Sequence, residues 1–412
     1  MLLCSGFQIG SFSVFFSELL DQFGWSRGSL SLGFTLNMVI MALCGPVVGL
    51  MLNRVGPRAL VAVGAVIASG SMALISLTSQ HWHFYLTYGL LLPAGISMAF
   101  YIPTVATVRR WFHRRAGFAM SLALTGSGVG LAVGPVIAQA LIDAVGWQSA
   151  YRVLAAILAA GVIAGALLLR RDPESMGEQP DGAPGPEVAS GLQEHVVPMA
   201  GSWPIRDALR TRALWLYMMA QAGFLVLIIA MIGHLKVWVD KDLGFGSGYG
   251  VAMVTVLAGT AVLARLLGGL ASDRLMGRFG RKPVLYFSVV GVVASAFLAI
   301  TVDSKLGVAV FAVILGLSYG SSIGIFPTYL GDLYGMVSMP VLLGIVGVES
   351  ASVSALGPWV FGTVYDRTGS YDIAFLVGAG FAILALVCLA LIRTPQRRVR
   401  TEIVVESESP VG

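Results

Sequence analysis

Two ionisable side chains lie deep inside long apolar segments and are the strongest candidates for chemistry. Arg265 lies in the segment AVLARLLGG, and Glu349 lies in IVGVESAS. A charge at the centre of a membrane span costs about 2.5–3.5 kcal/mol, so such a residue is a functional candidate by default. A guanidinium stays charged and presents a planar fork that fits a carboxylate. Arg265 therefore predicts binding of an organic anion.

Glu349 allows two interpretations of Arg265. As the acidic residue in the middle of an apolar segment, it can form an ion pair that neutralises Arg265 within the fold. It can instead carry a proton, because a carboxyl is neutral in a dry cavity and ionised when it faces water. We favour substrate binding by Arg265. The two arrangements can also alternate, with a neutral Glu349 releasing Arg265 for the substrate carboxylate.

Arg265 lies too deep to reach water by extending along its helix. It precedes Asp273, near the end of the apolar segment, by eight residues, which is roughly 12 Å at 1.5 Å per residue. Its neighbours on the same helical face are small or short and leave space beside it: Ala258, Ala261, Val262, Gly268 and Gly269. These features predict a central aqueous cavity around the guanidinium.

Other polar residues deep in the apolar segments are candidates for the same cavity. Tyr101 and Tyr319 can donate hydroxyls to a carboxylate. The groups that can recognise a hydroxyl or keto group are Gln8, Asn37, Gln221 and Ser350. His234, near the outer end of its segment, can titrate during transport. For each of these residues, hydrogen bonding between helices is the alternative role.

The composition indicates which elements must hold these residues. The chain of 412 residues is 57% hydrophobic and 11% charged, whereas a soluble domain carries about 25% charge. Apolar runs of about 20 residues are long enough to cross a hydrocarbon core as a helix. The sequence contains twelve, which predict helices 1 to 12 at 1–20, 29–52, 58–78, 83–106, 116–141, 148–169, 213–235, 249–271, 283–302, 306–327, 339–362 and 372–392. The predicted fold class is an all-α polytopic membrane protein.

The basic residues predict the orientation. Of the 26 lysines and arginines, 19 lie in segments that follow an even number of helices, and the positive-inside rule places these in the cytoplasm. Both termini are then cytoplasmic, in a multi-pass protein of the cell (inner) membrane. The net charge of +5 follows from this topology and requires no nucleic acid. Because helix 1 is already under way at Met1, we expect that some upstream residues are missing.

The chain divides into two similar halves. Residues 171–211 are a polar, Pro- and Gly-rich linker between an N-terminal half, 1–170, and a C-terminal half, 212–394, and a tail follows at 395–412. Three segments recur at an offset of 220–224 residues: GLMLNRVGPR as GLASDRLMGRFGRK, YIPT as IFPT, and GPVIAQALIDAVG as GPWVFGTVYDRTG. Such duplication is typical of transporters whose site lies between the repeats.

Two of the repeated motifs predict how helices move and pack. Salt bridges that break and re-form at the cytoplasmic helix ends would bias two alternate states. The residues expected to take part in this gating are Asn53, Arg54, Arg58, Asp273 and Arg274. The glycines of TGSGVGLAVGP in helix 5 predict close helix contacts, although this surface can also line the path that a transported substrate takes.

These motifs resemble those of the major facilitator superfamily. GLMLNRVGPR is similar to its signature loop after helix 2, and GVGLAVGP is similar to its Gly-Pro motif, often associated with antiporters. SVFFSELLDQFGWSRGSLSLGF, RRWFHRRAGFAMSLALTGSGVG and GPWVFGTVYDRTGSYDIAF resemble bacterial members of the monocarboxylate transporter and oxalate–formate antiporter group. The resemblance covers essentially the whole chain. It implies the major facilitator fold and a helix-8 arginine, here Arg265, that binds the substrate carboxylate.

The chain departs from this group at three places. Animal members carry a lysine in helix 1 and an aspartate one turn before the helix-8 arginine, where this chain has Gly10 and Ala261. The oxalate transporter has a second cation in helix 11, where this chain carries Glu349 instead. One positive charge fits a monocarboxylate better than a dianion, and Glu349 is the remaining candidate for proton coupling.

We therefore expect a secondary active transporter that moves a small organic anion, such as a lactate- or pyruvate-like monocarboxylate, by alternating access with a proton. The alternatives are a drug–proton antiporter, suggested by the Gly-Pro motif, and a non-transporting nutrient sensor with the same fold. The ATP-binding pattern G-x-x-x-x-G-K-[ST] is absent from the sequence. We expect no catalytic residues, no cofactor and no metal site. The expected partners of this monomer are the anion, protons and the lipid bilayer.

Overall fold

Helices account for nearly all of the structure. The computed structural model describes residues 2–100, 103–104, 107–108, 111, 116–170, 203–335 and 339–395. No strand occurs within these ranges. A helix satisfies its own backbone hydrogen bonds, which a segment surrounded by lipid must do. The all-α class predicted from the sequence is confirmed.

The first half is helical in all six predicted segments. Its helices are Leu2–Phe23, Arg27–Val55, Pro57–Ile75, the successive pieces His81–Phe84, Tyr85–Leu91 and Leu92–Ala99, and the long Ala116–Leu168. Tyr85–Leu91 is π-helical. Ala116–Leu168 contains helices 5 and 6, because its backbone breaks at Gly146, where φ is 77°.

The second half repeats this pattern after a short helix, Ile205–Leu209. Its helices are Arg212–Val237 with the π-helical Trp238–Asp242, Ser247–Phe279, Lys282–Thr301, Lys305–Ile323 with Ile325–Tyr334, Met339–Thr368 and Asp372–Leu391. Helices 8, 10 and 11 extend several residues beyond the predicted ends. Hydropathy marks only the apolar part of a helix, whereas backbone hydrogen bonding continues into the polar ends.

The lengths of these helices suit a membrane. Nine stretches of the described residues are long and apolar enough to cross one. One of them, Thr125–Leu168, has 44 residues, which is long enough for two crossings of about 20 residues each. The bend at Gly146 divides it in this way.

The turns that end equivalent helices match between the two halves. Gly56 ends helix 2 with a φ of 80°, and Gly280 ends helix 8 with a φ of 69°. A side chain is strained at positive φ, so both turns depend on glycine. Gly146 and Gly369 end helices 5 and 11 in the same way, with φ of 77° and 70°. All four glycines lie in or beside the repeated sequence segments.

The two halves meet along three seams. Helix 1 packs on helix 7, helix 2 on helix 11, and helix 5 on helix 8. Within the first half, helices 1 and 5 touch through their backbones. A methyl group at Gly10 would lie 2.4 Å from the carbonyl oxygen of Leu131, and one at Gly134 would lie 2.8 Å from that of Phe7. Small residues permit this approach, as predicted for the helix-5 glycines.

We predict that Gly10→Ala destabilises the protein, because the added methyl group would collide with the backbone of helix 5. Overpacking of this kind costs about 1–3 kcal/mol, which thermal unfolding of the purified protein in detergent would detect as a lower Tm. Gly70→Ala on helix 3 is the matched control, since no atom lies within 4 Å of the added methyl group. A Gly10→Ala protein as stable as the control would contradict this crossing geometry.

Candidate functional site

Arg265 projects from helix 8 of the second half toward helix 5 of the first. A methyl group built at Gly128 would lie 3.3 Å from Arg265 Nη1 and 2.7 Å from Val262 Cγ2. The guanidinium therefore occupies space that a side chain on helix 5 would otherwise fill. Arg265 is partly buried, and its Nε has no hydrogen-bond acceptor among the described residues. This nitrogen remains a free donor.

A polar cavity of about 220 Å³ opens beside this guanidinium. Its lining comes from helix 8, the turn after it, and helix 10, and consists of Arg265, Gly269, Ser272, Arg281, Ser321, Gly324, Ile325 and Thr328. Two guanidinium groups and three hydroxyls are all groups that donate hydrogen bonds to an anion. Of the small neighbours predicted to leave space beside Arg265, Gly269 lines this cavity, whereas Gly268 packs closely against Ser321 of helix 10.

Arg281 lines the cavity but is anchored to protein groups. Its Nε donates to Asp332 Oδ2 at 2.9 Å, and its Nη1 donates to the Ser272 hydroxyl at 2.9 Å. Asp332 therefore balances this charge, whereas Arg265 has no ion-pair partner among the described residues. In the sequence, Arg281 is one of many basic residues in the segments between helices. Its place in the repeated GLASDRLMGRFGRK segment was the available signal.

Tyr319 lies on helix 10. The positive charge of Arg265 acts electrostatically on its hydroxyl. Helices 8 and 10 approach closely here, since a methyl group at Gly320 would lie 2.0 Å from the carbonyl oxygen of Ala261. Tyr319 therefore lies on a helix that packs directly on the helix of Arg265, but it is not part of the cavity lining.

Glu349 and Ser350 lie in the middle of helix 11. Ser350 is buried, and Glu349 is half-buried with an Oε2 that has no hydrogen-bond partner among the described residues. An ion pair between Glu349 and Arg265 was one expected arrangement. Within the described part of the chain, neither side chain is ion-paired in this conformation. The carboxyl and the guanidinium are thus both available for other partners.

Gln8 and Asn37 are joined through Tyr88 in the first half. Gln8 Nε2 donates to the Tyr88 hydroxyl at 3.1 Å, and Asn37 Nδ2 donates to the Tyr88 carbonyl at 2.7 Å. These are the helix-to-helix hydrogen bonds expected as the alternative role. The amide oxygens of Gln8, Asn37 and Gln221 are buried and lack a donor among the described residues. None of the three lines the Arg265 cavity.

Several predicted residues are described only in part. Tyr101 lies outside the described residues. Asn53 lies in helix 2 and Asp273 and Arg274 lie in helix 8, but their side chains are also outside the described part. Arg54 and Arg58 are exposed on either side of the turn at Gly56, where they can reach partners in the solvent or on another helix end.

Arg27, at the start of helix 2, is bound by the second half of the chain. Its Nη1 and Nη2 donate to Asp242 Oδ2 and Oδ1 at 2.6 and 2.9 Å, and Nη1 also donates to the Tyr371 hydroxyl at 2.9 Å. The guanidinium carbon lies 3.6 Å from the centre of the Tyr365 ring. A bidentate carboxylate and an aromatic face both stabilise a buried guanidinium.

The backbone at the start of helix 2 is also held by the second half. Asp366 Oδ1 accepts from the Arg27 N–H at 2.9 Å, and Oδ2 accepts from the Gly28 N–H at 2.7 Å. The first N–H groups of a helix have no intrahelical acceptor, and the helix dipole favours a negative charge there. Helix 11 approaches closely, because a methyl group at Gly362 would lie 2.7 Å from the Arg27 carbonyl. Asp366 thus caps a helix of the other half.

His234 lies in this same network. Its Nε2 is 2.9 Å from the Ser31 hydroxyl and 2.9 Å from the Pro358 carbonyl, and its Nδ1 is 2.7 Å from the Tyr371 hydroxyl. Burial raises the pKa of the Tyr371 hydroxyl, which therefore keeps its proton and can donate it to Nδ1. A neutral ring protonated on Nε2 satisfies all of these partners. The structure places His234 here, away from the lining of the Arg265 cavity.

We call this cluster the Arg27 latch; its members are Arg27, Ser31, His234, Asp242, Tyr365, Asp366 and Tyr371. An ion pair between Lys241 and Asp21 joins the halves beside it. The latch lies at the end of the molecule where helices 2 and 8 begin, whereas the cavity lies toward the end of helix 8. The molecule is therefore closed at the latch end, which the basic residues predict to be the outer end.

Two similar helical halves that close together at one end, with a polar cavity beside Arg265 toward the other end, are the arrangement of a membrane transporter. The chain belongs to the Major Facilitator Superfamily, whose family model matches residues 1–348. Monocarboxylate transporter 13 of Bos taurus is 27% identical over 375 residues, covering 90% of this chain and 82% of that protein. Monocarboxylate transporter 11 of Homo sapiens is 30% identical over 387 residues, covering 90% and 76%.

The fold is shared with a solved transporter. A bacterial homolog of the human lysosomal transporter Spinster, crystallised in an inward-facing and unoccupied conformation, has a TM-score of 0.71 at 14% identity. The match covers 94% of this chain and 93% of that one. The predicted major facilitator fold is thus confirmed, and the chain is a transporter rather than an enzyme.

We predict that removing Arg27 opens the latch end. Thr35 lies beneath the latch and is 5% exposed, so a cysteine there should react slowly with a membrane-impermeant maleimide applied to sealed cells. Cys4, Cys44 and Cys388 would first be replaced by serine. Arg27→Ala should accelerate labelling about tenfold or more, because removing one partner of a buried pair costs about 3–5 kcal/mol.

Arg367→Ala provides the control for this labelling experiment. Arg367 is an exposed arginine at the same end of the molecule, so its removal changes the net charge without breaking the latch. Its labelling rate should equal that of the parent protein. Equal rates for Arg27→Ala and Arg367→Ala would show that the Arg27 contacts do not hold this end closed. Labelling that requires broken cells would instead place the latch on the cytoplasmic side.

Proposed function

We propose that this transporter moves a small monocarboxylate across the cell membrane by alternating access, together with a proton. The observation that carries the proposal is the Arg265 guanidinium, which lies in the middle of helix 8 on a polar cavity and retains an unpaired donor. A charge in this position is costly unless a partner binds it. The carboxylate of a substrate supplies that partner through the planar fork of the arginine.

The balance of charge around the cavity favours a single carboxylate. Of the two arginines that line it, Arg281 is paired with Asp332, which leaves one uncompensated cation. A second carboxylate would meet no further free cation in the described lining, and a cationic drug would be repelled. The volume of about 220 Å³ suits a small organic acid. The relatives named monocarboxylate transporters support the same substrate class.

Substrate recognition beyond the carboxylate is assigned to polar groups near the middle of the bundle. Tyr319 and Tyr101 are proposed to donate hydroxyls to the carboxylate. The proposed partners of a hydroxyl or keto group are Gln8, Asn37, Gln221 and Ser350. The unsatisfied amide oxygens of the first three support this role, because a buried acceptor without a donor is costly and a substrate hydroxyl would satisfy it.

The closed latch supports an inward-facing assignment for this conformation. With the latch end outside, the Arg265 cavity communicates with the cytoplasm, and both termini are cytoplasmic. For the cavity to open to the outside, the latch must break and the cytoplasmic helix ends must close. For that closure we propose the polar residues of the two repeated loops, namely Asn53, Arg54, Arg58, Asp273 and Arg274.

Proton coupling is assigned to Glu349. Its carboxyl lies in the middle of helix 11, is half-buried and is not paired with Arg265 in this conformation. A neutral Glu349 leaves Arg265 free for the substrate, and departure of the substrate lets an ionised Glu349 pair with it. His234 is a second candidate, because its protonation would remove the acceptor that Tyr371 uses and so weaken the latch.

We predict that Arg265 variants separate binding from folding. Arg265→Lys keeps the charge but loses the fork, so carboxylate affinity should fall about tenfold or more. Arg265→Ala should abolish carboxylate uptake into proteoliposomes. Arg152→Lys is the control, since Arg152 lies on helix 6 and its Nε donates to the Ser76 hydroxyl at 3.0 Å. Near wild-type uptake by Arg265→Ala would exclude the binding role. In a separate measurement, counterflow by the parent protein would show that it is a carrier and not a non-transporting sensor.

We predict that Glu349→Gln retains substrate exchange but loses accumulation driven by a pH gradient, because glutamine imitates the protonated carboxyl permanently. The measurement is uptake of a radiolabelled acid into proteoliposomes with and without an imposed gradient. Glu349→Asp keeps a titratable group and serves as the control. If Glu349 only neutralises Arg265 in the fold, the glutamine variant should misfold instead. Gradient-driven accumulation equal to wild type would reject the coupling role.

A further inference from the structure

The glycine-rich motif of helix 5 serves two different neighbours. Gly134 faces helix 1, where a methyl group would lie 2.8 Å from the Phe7 carbonyl oxygen. Gly128 instead faces helix 8, with Val262 and Arg265 as the nearest side chains. Six residues on a helix of 3.6 residues per turn place the two glycines on different faces. Helix packing therefore explains why position 134 is a glycine. Gly128, in contrast, lies next to Arg265, the residue proposed to bind the substrate.

The contact at Gly128 constrains the charged end of Arg265. A methyl group there would lie 3.3 Å from Nη1 and 3.8 Å from Cζ of the guanidinium, and 2.7 Å from Val262 Cγ2. The two atoms of Arg265 belong to the planar fork itself, not to its aliphatic stem. Because the fork must align with both carboxylate oxygens, a displacement of a few tenths of an ångström changes the geometry of binding.

We propose that Gly128 is a positioning residue for Arg265. The missing side chain lets helix 5 set the location of the guanidinium, and so determines where a carboxylate can bind. The inference rests on the proposed function, because it assigns Arg265 the substrate carboxylate. It adds that the first half of the transporter shapes an anion site whose charge comes from the second half.

The position of this contact makes the site depend on how the halves are arranged. Nearer the latch end, the same seam between helices 5 and 8 contains a hydrogen bond from the Ser247 hydroxyl to Gln139 Oε1 at 3.3 Å. Gly128 and Arg265 lie further along the seam, near the middle of the membrane. Movement of helix 5 relative to helix 8 would therefore move the surface against which the fork rests.

Variants at two positions separate positioning from packing. Gly128→Ala adds the methyl group that contacts both Val262 and Arg265. Adding Val262→Ala removes the Val262 methyl that it would strike and leaves the Arg265 contact. Gly259→Ala is the matched control, since it lies on helix 8 and no atom is within 4 Å of the added methyl group. A defect caused only by packing should be rescued in the double variant.

The first readout does not require a transported substrate. Phenylglyoxal modifies arginine side chains, and mass spectrometry of the peptide that contains Arg265 gives the modification rate. We expect Gly128→Ala and Gly128→Ala/Val262→Ala to react about threefold or more faster than wild type, because the fork is displaced from helix 5 into the cavity. Gly259→Ala should react at the wild-type rate. Wild-type rates in both Gly128 variants, or rescue by Val262→Ala, would overturn the proposal.

The second readout tests the consequence for binding. Thermal stabilisation of the purified variants by L-lactate and by pyruvate gives relative affinities. We expect about tenfold weaker binding in the double variant, and no further loss when Gly128→Ala is added to Arg265→Lys, which has no fork to misplace. If wild type binds neither acid while the modification rates change as expected, the substrate assignment fails and the positioning role stands. Unchanged affinity in the double variant would overturn the positioning role.

Discussion

The contact between Arg27 and the carboxylates of the second half determines how the rest of the molecule is arranged. Asp242 binds the guanidinium, and Asp366 binds the first N–H groups of helix 2. While these bonds hold, the latch end is closed and the polar cavity can open only in the other direction. The attraction within a buried pair is offset by the cost of removing both charges from water, so hydration of both charges compensates for separating the pair. This combination suits a contact that must form and break as two rigid halves move.

Arg27 and Arg265 differ in how completely their donors are used. Arg27 is surrounded by carboxylate, hydroxyl and aromatic groups, whereas Arg265 retains a buried nitrogen without a described acceptor. A saturated guanidinium stabilises a conformation, and an unsaturated one attracts a ligand. The same side chain therefore has hydrogen-bonded donors in one place and a donor without a described acceptor in the other, and the difference lies in the partners supplied by neighbouring helices.

Sequence reasoning identified the features that depend on local pattern. The helices follow from apolar length and the matching turns from repeated glycines, whereas, of the small residues predicted beside Arg265, Gly269 lines the cavity. The latch was missed because its partners are far apart in the chain: Arg27 and Asp242 are separated by 215 residues, and Arg27 and Asp366 by 339. In the sequence, Arg27 is one of 26 lysines and arginines and belongs to none of the repeated motifs. Nothing in the spacing of nearby residues shows which distant carboxylates will meet it.

The departures from the related transporters also acquire a physical reason. A lysine replaces Gly10 in the animal members, yet here any side chain at this position would meet the backbone of helix 5 at Leu131. The position of their aspartate is occupied by Ala261, whose carbonyl closely faces Gly320 on helix 10. Close packing of helices 1 and 5 thus excludes a lysine at position 10, and the alanine at position 261 leaves Arg265 without an acidic neighbour one turn earlier on its own helix. In the proposed site, the substrate carboxylate would therefore meet the charge of Arg265 within a space whose shape is set by the surrounding helices.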